Sequence, residues 1–549
     1  MSHRPSTPAP LLALRSSLLA LPLALAPALA AAQGGSPCAP ISQGPEMLVN
    51  DGGGSPDVAV FADGSGIAVW VDAGDGSRLG IRARRIDAKG MPQGGAFFVN
   101  TLTDEDQFQP AVAAAGNGAY VVAWQSDVSP GDPEFGSIRA RVYGANGSPR
   151  GNDFQVNTST SGDQVTPDVA IAANGDFVVV WYDDSDRPGT SDPRGRDIRA
   201  RLFRADGTPR GNDFRVNDFT NGTQSEPAVG MAPDGRFVVL WQSAGSPGTD
   251  NSDNSIQARI FDASGNPIAS QFQVNTKIEG SQSLPEVAVD PDGSFLVAWQ
   301  SATSDESDQD NSSIHVRGYL PNGAAVAPQK QVNERTAGAQ FRPYVGAVGG
   351  REFLVVWGSN ENAIDPGTQA RAVTLEGQDL GVEFGVARRN LAKGAEYAVG
   401  GNGVGGSIVL TFVVNRIFAF PYLHPCATGA GVTDCTENAT TLCLTGDRFR
   451  VTTVWRNAQG DSGAGRAVEL TPDTGYFWFF DFANVETVVK VLDACGFNDR
   501  FWVFIGGLTD LGIDFLVEDV EQSVVRRYEN PLGAAFLTIN DTAAFDTCP

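Results

Sequence analysis

Histidine is scarce in this sequence, and no two cysteines have the Cys-x-x-Cys spacing. The chain has three histidines, and only His315 and His424 lie beyond the leader segment described below. Structural zinc sites need four Cys or His ligands at short spacings, so zinc is not predicted. A Ser-His-Asp triad would have to use one of these two histidines. His315 occupies a position that holds Arg139 or Arg199 in other repeats, which indicates a structural role.

Basic residues are outnumbered by acidic ones. Lysine and arginine total 39 against 64 aspartates and glutamates, for a formal net charge of −25. Such a surface repels nucleic acid and anionic lipid, and it favours solubility and association with cations. We therefore expect no nucleic-acid partner.

Long apolar runs are confined to the start of the chain. Arg4 and Arg15 precede the apolar run Leu18–Ala32, which ends in Ala-x-Ala cleavage sites. This pattern is typical of a secretory signal peptide, assigned to residues 1–32. No later stretch reaches the length of about 18 uncharged apolar residues that a membrane span needs. We expect no membrane insertion and a secreted protein, whether extracellular, periplasmic or associated with the cell surface.

The chain is organised around a repeat of roughly 54 to 60 residues. One copy contains PDVAIAANGDFVVVW and then IRARLFRADGTPRGNDFRVN. A proline precedes the repeated tryptophan by 14 positions, and an Ile opens the third segment 19 positions before the Asn of a Val-Asn pair. β-Branched and aromatic runs separated by Asn-Gly and Asp-Gly turns predict four short antiparallel strands per repeat. The tryptophans are Trp70, Trp124, Trp181, Trp241, Trp299 and Trp357.

Four strands per unit, with no helical pattern, predict a β-propeller. A last, degraded unit starts near Tyr397 and has no Phe-x-Val-Asn strand after it. Such a segment occurs instead at Met47–Asn50, ahead of the first proline. Open edge strands invite pairing with other chains, so the N-terminal strand is predicted to complete the last blade. The sequence thus predicts an all-β fold with a seven-bladed β-propeller over residues 33–425.

The composition changes near residue 425, where the repeat ends. Some eight β-runs follow, from Phe449–Arg456 to Ala535–Ile539. They predict a small C-terminal β-sandwich over residues 426–549. Five consecutive aromatics, Tyr476–Phe480, place rings on both faces of one strand. We expect a strand buried on both faces, with an exposed sugar-stacking platform as the alternative.

The repeats resemble the propeller units of exported and surface bacterial proteins whose function is unassigned. The segments TLCLTGDRFRV and DTGYFWFF resemble a cysteine-bracketed module on exported bacterial proteins. The first resemblance spans roughly residues 45–420, and the second covers about a fifth of the chain. Together they imply the fold and an exported location, and they imply no reaction.

Cysteine is absent between Cys38 and Cys426, and the other four are Cys435, Cys443, Cys495 and Cys548. An even number in an exported chain indicates disulfides, although six cysteines allow 15 connectivities. Cys38 and Cys426 flank the two cut ends of the last blade, so we predict a bond between them. The remaining four are predicted to pair within the C-terminal module, with Cys435–Cys548 or Cys443–Cys495 preferred.

An arginine recurs at the fourth position of the third strand in each repeat. A residue present in every blade serves the blade, whereas a catalytic site needs one asymmetric constellation. These arginines are therefore predicted to pack between blades, on an aromatic face or against a carboxylate. By the same argument the repeated tryptophans are not a sugar-stacking ladder.

The loops between the second and third strands vary in length and are rich in carboxylates. They are predicted to form a ligand-binding face, and their oxygen-rich spacing suits Ca²⁺. The candidate ligand-face residues are Asp183, Asp184, Asp186, Asp250, Asp253, Asp305, Asp308 and Asp310. Asp305, Asp308 and Asp310 are the candidate metal ligands, although the full calcium-loop pattern is missing; no other cofactor is predicted.

Three function classes remain open from the sequence. The favoured one is a secreted, non-enzymatic protein that uses the acidic loop face to bind a protein or glycan at the cell surface. The alternative is a carbohydrate-active enzyme, sialidase-like or another propeller glycosidase or lyase. The third is a structural extracellular component. The oligomeric state is not indicated.

Overall fold

The protein is described here from a computed structural model. It describes residues 41–42, 47–74, 78–127, 129–130, 136–184, 196–245, 248–250, 253–302, 312–336, 338–360, 367–381, 383–387, 397–403, 405–413, 416–423, 435, 441–457, 462–480, 484–522 and 524–548. The predicted signal peptide, residues 1–32, lies outside this set.

Residues 41–423 form seven antiparallel sheets, called blades 1 to 7. Blades 1 to 6 contain β3–β6, β7–β10, β11–β14, β15–β18, β19–β22 and β23–β26, and blade 7 contains β27–β29 with β1 and β2. The strands are β1 (Ile41–Ser42), β2 (Met47–Asn50), β3 (Gly54–Val60), β4 (Gly66–Ala73), β5 (Leu79–Ile86), β6 (Pro92–Phe98), β7 (Gln107–Ala114), β8 (Tyr120–Ser126), β9 (Ser137–Tyr143), β10 (Phe154–Gln155), β11 (Gln164–Ile171), β12 (Phe177–Asp183), β13 (Asp197–Phe203), β14 (Phe214–Arg215), β15 (Gln224–Met231), β16 (Phe237–Ala244), β17 (Asn254–Phe261), β18 (Phe272–Gln273), β19 (Gln282–Val289), β20 (Phe295–Ser301), β21 (Ser313–Tyr319), β22 (Lys330–Gln331), β23 (Gln340–Gly349), β24 (Glu352–Ser359), β25 (Gly367–Thr374), β26 (Phe384–Ala387), β27 (Tyr397–Gly401), β28 (Gly406–Val413) and β29 (Arg416–Leu423).

The blades form a closed ring around an axis. The first strand of each blade contacts the first strand of the next, and β27 contacts β3 to close the circle. The predicted all-β propeller is therefore confirmed. Closure uses the N-terminal strand as predicted, because β2 pairs with β29 through Met47 opposite Ala419 and Leu48 opposite Phe418. Cys38 and Cys426, the predicted disulfide across this junction, lie outside the described residues, and their bond stays a prediction.

Two repeated features hold neighbouring blades together. All six repeated tryptophans have no exposed surface, which confirms that they belong to the core. Each repeated arginine donates a hydrogen bond to a valine carbonyl in the last strand of the preceding blade, as from Arg201 Nη1 to Val156 O at 2.7 Å. Arg84 makes the same bond to Val49 O at the ring closure, also 2.7 Å long. The predicted packing role of these arginines is confirmed.

The C-terminal region forms two five-stranded sheets that share one apolar core, as a β-sandwich does. One sheet contains β30 (Thr441–Leu444), β31 (Phe449–Arg456), β32 (Ser462–Ala464), β37 (Gly512–Asp519) and β38 (Val524–Asn530). The other contains β33 (Arg466–Thr471), β34 (Thr474–Trp478), β35 (Thr487–Asp493), β36 (Phe501–Gly507) and β39 (Ile539–Phe545), with the one-turn helix α1 (Cys495–Asn498) after β35. No helix among the described residues has the length and apolarity to cross a membrane.

The preferred disulfide pairings of this module are wrong. The structure pairs Cys435 with Cys443 and Cys495 with Cys548, each with 5.6 Å between Cα atoms. Cys435 N donates to Asp447 O, which holds Cys435 against the hairpin that contains Cys443. Cys548 follows β39, and the pairing of β39 with β36 brings it beside Cys495. Strand pairing, which the spacing of cysteines does not reveal, decides the connectivity.

Candidate functional site

The loop face of the propeller is defined by strand direction. All neighbouring strands in a blade are antiparallel, so the loop from second to third strand opens on the same side as the connection into the next blade. The first strand of each blade begins at this face and runs down the axis. Its outer edge pairs with the second strand, and its inner edge faces the channel.

The first strands of blades 1 to 6 share a distortion near the loop face. In each strand a β-bulge that spans the repeated proline shifts the register with the second strand. The residue before that proline has a left-handed φ between 45° and 52° although it is not glycine. Such strain costs about 1–3 kcal/mol per residue and concentrates at functional sites, and bulges redirect neighbouring side chains. The six residues are Ser55, Gln109, Thr166, Glu226, Leu284 and Arg342.

The residue after the same proline differs between blades. It is acidic in blades 1, 3 and 5, as Asp57, Asp168 and Glu286, and it is Tyr344 in blade 6. Blades 2 and 4 have alanine there. We call Asp57, Asp168, Glu226, Glu286, Arg342 and Tyr344 the axial cluster. It is the asymmetric constellation that a catalytic site requires.

Asp57 and Asp168 each join two neighbouring blades. Asp57 accepts hydrogen bonds from Val58 N at 2.8 Å and from Val112 N of blade 2 at 2.7 Å. Asp168 accepts from Val169 N and from Val229 N of blade 4, both at 2.7 Å. These donors lie on the inner edges of the first strands, where no further strand pairs with them. The carboxylates thus satisfy edge N–H groups and are fixed in position.

Glu286 occupies the same position with a longer side chain, and its carboxyl accepts no hydrogen bond from any described residue. Desolvation, together with the charges of Asp168, Asp57 and Glu226, raises its pKa well above the usual value. Desolvation also raises the pKa of Asp57 to about 7, with a contribution from the charge of Asp168. The pKa of Asp168 rises to about 6 for the same first reason, although its two backbone hydrogen bonds oppose the shift. Asp57, Asp168 and Glu286 occupy the same position on β3, β11 and β19, the first strands of their blades.

Tyr344 belongs to the axial cluster, and Tyr397 contacts it. Desolvation and the charges of Glu286 and Asp57 raise the pKa of Tyr344 well above its usual value, so it stays a neutral phenol. Tyr397 of blade 7 has its hydroxyl 2.6 Å from the carbonyl oxygens of both Phe341 and Arg342. It therefore braces the bulge that presents Arg342 to the channel.

Of the acidic loop residues predicted to form a ligand face, Asp183, Asp184, Asp250 and Asp253 lie in the described part of the chain. Asp183 is buried, accepts from Trp181 Nε1 at 3.3 Å and lies 3.8 Å from Arg199 Nε. Asp250 has no exposed surface and accepts from Asn275 Nδ2 at 2.8 Å. Both stabilise their own blades. Asp184 lies 3.8 Å from Arg196 Nε, and Asp253 is exposed.

Asp186, Asp305, Asp308 and Asp310 lie outside the described residues, so the calcium site stays a prediction. Within the described ranges no group of three or more His, Cys, Asp or Glu side chains could hold a metal ion. His315 is buried, with Nε2 3.1 Å from Ser313 Oγ, as a structural histidine would be. His424 lies outside the described residues.

Comparison with known proteins finds similarity among solved structures alone. No protein-family model and no curated protein matches the chain. Similar solved structures include the polysaccharide lyase Uly1, 9% identical over 70% of this chain and 100% of that one, with a TM-score of 0.43. An α-L-arabinofuranosidase from Fusarium graminearum is 12% identical over 61% of this chain and 98% of its own, with a TM-score of 0.41. A sialidase from Streptococcus pneumoniae is 7% identical over 56% and 65%, with a TM-score of 0.38. Identities this low indicate a shared fold alone.

The expectation of a non-enzymatic binding protein is corrected by these findings. The similar solved structures are named as glycosidases and a lyase, which runs against that expectation; at these identities and TM-scores their activities are not carried over to this chain. The signal for the axial cluster was present in the sequence. The repeated proline is common to blades 1 to 6, whereas the residue after it differs between them.

Proposed function

We propose that the protein is an exported glycoside hydrolase that acts on neutral glycans at the axial cluster. The observation that carries this proposal is the placement of Asp57, Asp168 and Glu286 at equivalent positions on the first strands of three blades, where the pKa of Asp57 is about 7, that of Asp168 is about 6 and that of Glu286 is raised well above its usual value. Carboxyl groups whose surroundings separate their pKa values are what acid–base cleavage of a glycosidic bond requires. Two disulfides within the described residues support the exported location, since such bonds persist in oxidising compartments.

Glu286 is the general acid in this proposal. Its raised pKa favours the protonated form, which can give its proton to the leaving glycosidic oxygen as the C–O bond breaks. Asp168 has the lowest raised pKa of the three, about 6, and is ionised at neutral pH. It stabilises positive charge at the anomeric carbon and either attacks that carbon or accepts a proton from the attacking water. Asp57 adds negative charge beside both groups.

The charge of the cluster favours a neutral substrate. The charge of Arg342 acts on Glu226, Tyr344 and Tyr397, and the acidic residues of the axial cluster outnumber it. A sialic acid or uronic acid would meet net repulsion here. Tyr344 stays protonated, so it is a poor nucleophile of the sialidase type. A glycosidase for uncharged sugars fits both facts.

The test is hydrolysis of defined polysaccharides by the mature protein. Arabinan, xylan and galactan serve as neutral probes, with polygalacturonate and a sialyl-oligosaccharide as charged ones. We expect new reducing ends from a neutral probe and none from the charged ones. Glu286→Gln and Asp168→Asn should each lower kcat about 10²–10⁴-fold, as loss of a general acid or base does.

Glu376→Gln is the matched control, because Glu376 is exposed in a turn at the opposite end of blade 6. It should leave the rate unchanged. Activity that survives Glu286→Gln, or cleavage of charged probes alone, would contradict the proposal.

A further inference from the structure

The connection into blade 1 is shorter than the connections into blades 2 to 6. From the Asn of the Val-Asn pair to the repeated proline there are ten positions in each of those five blades, as from Asn157 to Pro167. From Asn50 to Pro56 there are six. Four residues are therefore missing at the loop face of blade 1, beside Asp57.

The longer connections each bury a glutamine three positions before the proline. These glutamines have no exposed surface. In blades 4 and 5 the side-chain oxygen accepts a hydrogen bond from the repeated tryptophan, from Trp241 to Gln224 at 3.2 Å and from Trp299 to Gln282 at 3.1 Å. The glutamine thus fills the end of the blade. The five residues are Gln107, Gln164, Gln224, Gln282 and Gln340.

Blade 1 has Gly53 where the others have glutamine. Its φ is +91°, and a Cβ placed there would lie 2.3 Å from Trp70 Cδ1, so no side chain fits without a shift. Trp70 Nε1 instead lies 3.5 Å from Asp72 Oδ2. With neither the glutamine nor the four extra residues, the loop face stays open between blades 1 and 2.

A cavity of about 640 Å³ occupies this opening. Pockets for small organic ligands commonly span about 300–1,000 Å³. Its lining includes Ser55, which is two residues from Asp57, and the pair Phe108 and Gln125, which lie opposite each other on β7 and β8. Phe108 is half-exposed and Gln109 is exposed. The cavity is therefore lined in part by the strand that carries Asp57.

The chemistry of the lining suits an uncharged sugar. An aromatic ring offers a face for the C–H groups of a pyranose or furanose, and the amides of Gln109 and Gln125 can both donate to and accept from hydroxyl groups. Asp72 contributes carboxylate oxygens, and its charge is offset by Arg82 Nε at 3.4 Å. Little net charge is left to attract an anion.

We propose that this cavity is a sugar-binding subsite that holds one unit of the glycan next to Asp57, with Phe108 as its stacking surface. The choice of a sugar as the ligand rests on the proposed function, but binding of a sugar to the cavity can be measured without turnover. Sugar recognition here arises from a deletion in one repeat, which leaves the other blades unable to form the same site.

Binding is tested in the Glu286→Gln background, where cleavage does not interfere. Saturation-transfer NMR with arabinobiose, xylobiose, cellobiose and lactose reports contact of each probe with the protein. We expect at least one disaccharide to bind, and we expect Phe108→Ala to weaken its Kd at least tenfold. Ala73→Phe places a ring in the cavity from an exposed lining position and should abolish the signal.

Gln125→Ala and Gln242→Ala form a matched pair, because Gln242 follows Trp241 as Gln125 follows Trp124. The first should weaken binding and the second should not. Absence of binding by all four probes, or binding that is unchanged in Phe108→Ala and Ala73→Phe, overturns the subsite. If the cavity variants cleave polysaccharide as fast as the wild type, the proposed hydrolase stands and the proposed subsite is wrong. If a disaccharide binds in a way that depends on the cavity but no polysaccharide is cleaved, the subsite stands and the proposed hydrolase is wrong.

Discussion

Glu286 shows at the scale of one residue how a desolvated carboxyl group lowers the stability of the folded protein at neutral and higher pH. Desolvation, together with the charges of Asp168, Asp57 and Glu226, raises the pKa of its carboxyl group. The folded protein therefore retains a proton that the unfolded chain would release near pH 4.3. Stability is lost as the pH rises through this range, because the unfolded state is then favoured by ionisation.

The first prediction follows from that sign. Glu286→Gln removes the ionisable group and keeps its shape, so at pH 8 the variant should be more stable than the wild type. The difference should shrink towards pH 4.5. Urea denaturation at both pH values measures it. A wild type as stable as the variant at pH 8 would show that Glu286 is not desolvated.

A second prediction concerns the pH dependence of hydrolysis. Asp168 must be ionised to act, and its pKa is about 6. The value of kcat/KM should therefore fall about tenfold for each pH unit below 6. The acidic limb should move or disappear in Asp168→Asn, while Glu376→Gln keeps the wild-type profile. An acidic limb that is unaltered in Asp168→Asn assigns the base to another group.

The sequence contained the axial residues but not their convergence. Asp57, Asp168 and Glu286 are each separated by more than a hundred residues from the next, and only closure of the ring brings them together. The acidic loops are predicted to form a ligand face because their carboxylates lie close together in the sequence. In the structure Asp183 and Asp250 are buried inside their blades.

At the scale of the element, β34 separates its aromatic residues by face. Phe477 and Phe479 are buried, and Phe477 packs against Phe515 with 5.9 Å between ring centroids. Trp478 is half-buried, and Phe480, just beyond the strand, is 57% exposed. The expectation of burial on both faces is thus correct for one face alone.

The third prediction compares two neighbours on this strand. Phe477→Ala should destabilise the protein by about 3–5 kcal/mol, as truncation of a buried aromatic does. Trp478→Ala should cost clearly less, because part of its ring already faces solvent. Guanidinium denaturation of the C-terminal transition gives both values. Equal losses would mean that the outer face of β34 is covered.

Strand positions were predictable where alternation was regular, and less so near turns. Phe449–Arg456 is found as expected, whereas the expected strand Ala535–Ile539 begins only at its last residue. Asn530 Nδ2 donates to Leu511 O and Ala534 O at 2.9 and 3.0 Å, which ties the preceding segment into a loop. Side-chain to backbone bonds of this kind override strand propensity.

At the scale of the whole molecule, ring closure depends on one short strand. β2 supplies the outer strand of blade 7, and Val49 is fully buried there. Arg416 Nε donates to Asp51 Oδ1 at 2.7 Å just beyond the pairing. Without β2, the edge of β29 would be open to other chains.

The fourth prediction is complementation in trans. A variant that begins at residue 54 should unfold at lower denaturant concentration and self-associate, since its exposed edge strand can pair between molecules. A synthetic peptide of residues 41–53 should restore the midpoint and the monomer, whereas the same peptide with Val49→Asp should not. Light scattering and denaturation report both effects. A truncated variant that is monomeric and as stable as the full chain would show that β2 is dispensable.

The pairing of β2 with β29 also sets an order of events during synthesis. The two strands are separated by roughly 370 residues, and contacts of such long range make folding slow. A ribosome must finish β29 before the strand it made first finds its partner. Until then the nascent polypeptide holds an unclosed arc of sheets, a form that a translocation machinery can thread and that a chaperone can bind. In the proposed exported hydrolase, closure would couple the completion of the last blade to the appearance of the axial cluster.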